Sequence, residues 1–260
     1  MNLSATRPAV LAAFFGFQTR FEGSLPFMYL DDEYLVTTAI GCLVNSIDSV
    51  ANLEWVHQGT GAPATQAEIA AAWTTVKGAT ALAKMGGGAF AKLTDLRLTP
   101  AAATKLVNDR ATSFEAVLLR RFPEYPGWPA DAQLGTLSDA WAAGPAWAAP
   151  FFDAAARALD WEACAGPEGD AGVNYRKDLT VPAYHALAVA CRGHAWLRDD
   201  SEPLRPGMPR GPLNPGLRPR NIANKILFEN AALTGDSANL VWPQKLSASP
   251  WPDYIADLVT

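Results

Sequence analysis

Cysteine is scarce in this 260-residue chain: Cys42, Cys164 and Cys191 are the whole supply. Three thiols cannot all pair within one chain, and no two sit close enough in sequence for a metal knuckle or a redox motif. A disulfide scaffold is thereby excluded, with a single 164–191 bridge after export left open. Histidine is as rare, and His57, His185 and His194 are too scattered for a zinc site. No metal and no cofactor are expected. Charged residues make up only 18% and sum to −5. That balance argues against a nucleic-acid partner, which calls for a concentrated basic surface. No stretch reaches the roughly 18 uncharged apolar residues of a membrane span, so membrane insertion is not expected. Residues 1–7 lack the basic region and apolar core of a secretory signal, which leaves synthesis in the cytoplasm as the expectation.

Apolar residues, by contrast, are plentiful. At 49% hydrophobic, the chain is able to bury a full core, as one large domain or as two lobes, and is not disordered. Alanine is frequent and flanks Leu, Phe and Trp in periodic runs, which points to a mainly helical protein. Glycine and proline, 20 of each, lie mostly between those runs.

Read in order, residues 7–22 predict a helix with Val10, Phe14, Phe17 and Phe21 on one stripe and Gln18 at its edge. Glu22 falls in the last turn, where the helix dipole disfavours an acid. Residues 27–31 and 34–40 predict a two-stranded hairpin. Residues 42–64 read as loop with one short helical turn at most. Thr65 to Glu68 is a capping box that opens a helix over 66–77. Gly86-Gly87-Gly88 reads as a plain linker, since no lysine or strand stands where a phosphate loop needs one. Thr99-Pro100 caps a helix over 100–121. Further helices are predicted at 130–142, 148–160, 180–197 and 221–233, around a rigid aromatic loop at 122–129 and a Pro-, Gly- and Arg-rich excursion at 199–219.

The stretch around which the rest is arranged runs from Phe21 to Gly41. A helix ends in a carboxylate, the chain turns, and a short hairpin brings two more carboxylates and a hydroxyl. Glu22 is followed after eight residues by Asp31, and Asp31 after five more by Thr37. Two carboxylates and a hydroxyl on rigid elements are the parts a glycoside hydrolase needs. Singly, each has a plainer explanation: a solvated helix-end acid, turn acids at Asp31 and Asp32, an ordinary strand threonine.

In its Glu-Gly…Tyr-Leu-Asp…Val-Thr…Ile-Gly pattern, this stretch resembles the phage-type lysozymes, the muramidase family of bacteriophage endolysins. The resemblance extends more loosely through the helix from Thr99, the segment from Trp128 to Pro145 and the helix from Asn221. Extra material around 45–64, 78–95 and 164–216 breaks it. It implies an α+β, mostly helical, lysozyme-like fold: a small hairpin lobe over 23–98 and a helical lobe over 99–260 with an insertion near 164–216. The long helix would join the lobes, the cleft would lie between them, and helix 7–22 would pack on the helical lobe. It also implies cleavage of the β-1,4 bond between N-acetylmuramic acid and N-acetylglucosamine. Glu22 would be the general acid, in an apolar setting supplied by Phe21 and Phe27. Asp31 and Thr37 would activate and position a water. Such enzymes are usually taken as inverting, with carboxyls about 6.5–9.5 Å apart.

Tyr29, Trp128 and Arg220 are candidate substrate-binding or supporting residues, Arg218 and Lys225 competing with Arg220 for a role facing the glutamate. Tyr125, Trp128, Trp147 and Trp242 are candidates for stacking on sugars, against a plainer reading as core. The expected partners are peptidoglycan strands and, for an injected antibacterial effector, an immunity protein or a delivery apparatus. Action would then lie in the periplasm or on the cell wall, after release by lysis or after injection.

Two departures from the family pattern stand out. Its Gly-x-Gly is Ala39-Ile40-Gly41 here, adding a methyl group where a close backbone approach is expected, and Cys42 replaces a polar residue. Both favour an alternative, a catalytically inactive lysozyme-like domain that binds glycan or serves a phage or secretion apparatus. A third class is an unrelated helical protein, a cysteine or an acid–base enzyme, for which Cys42 near His57 suggests a nucleophile and base although nothing in the sequence places them within reach of each other.

Overall fold

The computed structural model describes residues 4–31, 33–146, 153, 156–161, 217–235, 237–244 and 246. The expected helix at 180–197, most of that at 148–160, the excursion at 199–219, Asp32, Trp147, Cys164, Cys191, His185 and His194 lie outside or largely outside them. The fold is mixed α+β and mostly helical, with two small antiparallel sheets. Its chain divides into two compact units, one of Phe15–Arg110 and one of Met1–Phe14 with Ala111–Thr260.

The Phe15–Arg110 unit holds all the described strands. Helix α1, Pro8–Glu22, enters it and stops at Gly23. Gly23 has φ +70, and its N–H bonds back to the Thr19 carbonyl at 3.0 Å, a left-handed cap that favours glycine. Strands β1 (Leu25–Leu30), β2 (Val36–Ala39) and β3 (Cys42–Leu43) form a three-stranded antiparallel sheet in that order. Tyr29 pairs with Thr37 and Leu30 with Val36, with an irregularity between Tyr29 and Leu25. The third strand arises where a loop is expected, because two residues carry no alternation for a pattern to reveal. Helix α2 (Ile47–Ala51), capped by Ser46, is the one short helical turn expected in this segment, whereas β4 (Trp55–His57), which pairs with β5 (Leu96–Leu98), again arises where a loop is expected.

Helix α3, Gln66–Gly78, begins at the expected capping box, with Thr65 and Glu68 bonding reciprocally. After α4 (Thr80–Ala83), the glycine triplet is no plain linker: Gly87–Phe90 is a 3-10 turn packed on β1, with Phe90 buried. Helix α5, Pro100–Arg121, starts at Thr99 as expected, the Thr99 hydroxyl accepting from the Ala102 N–H at 3.1 Å.

In the other unit, α6 (Ala130–Ala143) follows a 3-10 turn at Tyr125–Gly127 and packs on α7 (Leu217–Thr234). Residues 130–140 are all buried, so α6 is enclosed on every side rather than striped. Gly135 allows the close approach: a Cβ there would fall 2.9 Å from the Phe228 ring. Polar side chains tie this helix to its surroundings. Asp131 accepts from the N–H groups of Val241 and Trp242 and from Asn230 Nδ2. Gln133 Oε1 accepts from the Arg7 N–H, while Glu115 on α5 accepts from the N–H groups of Ala5 and Thr6.

Candidate active site

Glu22 is the last residue of α1 and is exposed. The two rings expected to give it an apolar setting are engaged elsewhere. Phe21 packs edge-on against Phe17 with centroids 5.0 Å apart, and Phe27 lies under the Arg97 guanidinium at 5.0 Å.

Asp31 closes β1 and organises the loop to β2. Its Oδ1 accepts from the Glu33 N–H at 3.0 Å and the Leu35 N–H at 2.8 Å, an Asx-type turn. The loop places Tyr34 at φ +60, its N–H bonded to the Asp31 carbonyl. The other oxygen, Oδ2, faces Thr37, whose Oγ1 lies 3.3 Å away and also within 3.2 Å of the Leu35 carbonyl. Thr37 is 3% exposed. One hydroxyl proton serves one acceptor at a time, so the Asp31–Thr37 pair offers a carboxylate oxygen and a hydroxyl lone pair side by side. That pair is able to hold a water and take a proton from it. The structure thus joins Asp31 to Thr37, and at the same time gives Asp31 the turn-forming role that the plainer explanation predicts.

Tyr29 stands beside them on β1, half-buried. Burial first, then the negative potentials of Cys42, Asp31 and Glu22, push its phenol up to about 12. Glu22 and Asp31 are therefore both within electrostatic reach of one hydroxyl. Sequence reasoning named Tyr29 without its surroundings; the signal available was its position two residues before Asp31, on the same strand face.

Ala39 has φ +52 and Gly41 has φ +85, so both hold left-handed backbone, a conformation that strains an alanine and suits a glycine. Cys42 is fully buried on β3, and burial pushes its thiol up to about 12 against a lowering by Arg110. A neutral thiol is a poor nucleophile. Its supposed base, His57, meets Asp95 through Nδ1 at 3.0 Å and Glu68 through Nε2 at 3.5 Å.

Arg220 and Trp128 belong to the other unit. Arg220, 1% exposed, is on α7 and acts electrostatically on Asp139 of α6, which accepts from Asn224 Nδ2 at 2.7 Å. Trp128, also 1% exposed, packs against Phe122, Tyr125 and Trp161 with centroids 4.8–5.4 Å apart. Tyr125 is fully buried, its hydroxyl 3.0 Å from the Thr6 hydroxyl. Both rings have the burial of core residues, which leaves no open face for stacking on a sugar.

No protein-family model matches the chain, and no curated protein and no solved structure is significantly similar to it.

Proposed function

We propose that the chain is a muramidase with a lysozyme-like fold, cleaving the β-1,4 bond between N-acetylmuramic acid and N-acetylglucosamine. The observation that carries this reading is the Thr37 Oγ1 to Asp31 Oδ2 contact of 3.3 Å, on the hairpin directly after the helix that ends in Glu22. Glu22 protonates the leaving oxygen, while Asp31 accepts the proton of a water that Thr37 orients. The exposure of Glu22 suits a group that must meet a polymer. Substrate binding would supply the apolar cover that Phe21 and Phe27 do not. The small lobe over 23–98 and the helical lobe over 99–260 belong to this reading, as do action on the cell wall and pairing with an immunity protein or a delivery apparatus.

One set of observations favours the second reading, an inactive lysozyme-like domain that binds glycan. Asp31 Oδ1 is fully engaged by its own loop, and the strained Ala39 stands at the end of the strand that carries Thr37. Turbidity clearing of purified peptidoglycan by wild type and Glu22→Gln separates the two. A muramidase clears, releases new N-acetylmuramic acid reducing ends, and loses at least a hundredfold in rate in the variant. Well-folded wild type that binds the wall without clearing it is the inactive domain.

A further inference from the structure

Tyr29 on β1 stands directly opposite Thr37 on β2. Directly paired residues of antiparallel strands share a face, and Asp31, two residues beyond Tyr29, falls on it too. The Tyr29 ring is steadied from the 3-10 turn. A Cβ on Gly87 would lie 2.9 Å from Tyr29 Cδ2 and 2.6 Å from Leu25 Cδ1, so the turn backbone abuts the ring.

A phenol hydroxyl is able both to donate and to accept a hydrogen bond. Among the described residues no side chain accepts its proton. Burial and three neighbouring acids keep the phenol neutral up to about 12, so the proton is retained across the working range of a wall hydrolase.

We infer that Tyr29 is a substrate-orienting residue, its hydroxyl donating a hydrogen bond to an oxygen of the sugar seated over Asp31 and Thr37. The inference rests on the glycosidase reading above and adds to it a third polar contact. An acceptor-rich pyranose suits this donor, whereas an anionic ligand would meet Glu22 and Asp31 beside it.

The test is Tyr29→Phe, which keeps the ring against Gly87, measured for peptidoglycan turnover and for calorimetric binding of an N-acetylglucosamine tetramer. Loss of one such bond should lower kcat/KM and tetramer affinity roughly three- to tenfold at unchanged thermal midpoint. A second variant carries 3,5-difluorotyrosine at position 29, whose phenol ionises at lower pH. Its turnover should fall on the alkaline side where wild type stays level, because a phenolate has no proton to give. Unchanged kcat/KM in Tyr29→Phe, beside inactive Glu22→Gln, would overturn the role of Tyr29 and leave the muramidase reading standing. Failure of wild type to cleave would overturn that reading instead, and tetramer binding equal in wild type and Tyr29→Phe would then overturn this inference as well.

Discussion

Ala39 holds a left-handed backbone at φ +52, in a turn where Gly41 does the same at φ +85. The Cβ makes that conformation about 1–2 kcal/mol less favourable, and glycine returns part of the gain through its freer unfolded chain. Ala39→Gly should therefore raise stability by about 1 kcal/mol, read as a higher urea midpoint at unchanged slope. A lower midpoint would mean that the buried methyl contributes more by packing than it costs in strain. Asp139 is a second residue with a measurable signature. Burial raises its carboxyl from 3.8 to about 7, opposed by Arg220 and by the Asn224 hydrogen bond. A folded value above the unfolded one means that the native state binds the proton more tightly. Its contribution to stability is complete below about pH 4 and is lost as the pH rises to about 7. Denaturation curves across that window should show stability falling in wild type and a flatter profile in Asp139→Asn; an identical slope in both would remove Asp139 as the cause.

At the scale of elements, the 3-10 turn at Gly87–Phe90 packs on β1. Gly87→Ala would force a methyl group against a ring carbon 2.9 Å away, and a ring fixed in a sheet has little room to yield. The expected cost is about 1–3 kcal/mol, and on the proposed muramidase reading peptidoglycan turnover should fall further than the stability loss explains, since Tyr29 moves with it. Near-UV circular dichroism and a thermal midpoint would check the first, kcat/KM the second. This turn also marks where reading the chain stops being informative. Helices α1, α3 and α5 are legible because Gly23, the Thr65–Glu68 box and Thr99-Pro100 satisfy helix-end groups locally, within four residues. Strand β3 is two residues long, too short to show alternation beside its neighbour β2, and β4 and β5, of three residues each, exist only through one another, far apart in the chain. Glycines 86–88 look like a linker until β1 is in place beside them. The candidate site divides in the same way. Glu22, Asp31 and Thr37 are visible from spacing, and so is the helix end that carries the first. The engagement of Asp31 Oδ1 by Glu33 and Leu35 is a local turn that the plainer explanation predicts, whereas the packing of Gly87 against the Tyr29 ring is a product of tertiary geometry, with no local trace.

At the scale of the molecule, charged residues make up 18% of the chain and sum to −5. Among the described residues, no helix is long and apolar enough to cross a membrane. The two units differ in how they use the chain. Phe15–Arg110 is one continuous stretch, whereas its companion draws on both sides of that stretch. In the companion, residues 5–7 reach Glu115 and Gln133, and residues 241–242 reach Asp131. Contacts that span more than 100 positions form only after the intervening chain exists. On the ribosome, then, the hairpin with its carboxylates is free to mature as soon as residue 110 has emerged, while Asp131 waits for residues 241 and 242 before its oxygens find their N–H partners. Synthesis itself sets a timetable: the catalytic candidates are assembled early, and the buried helix α6 is sealed last.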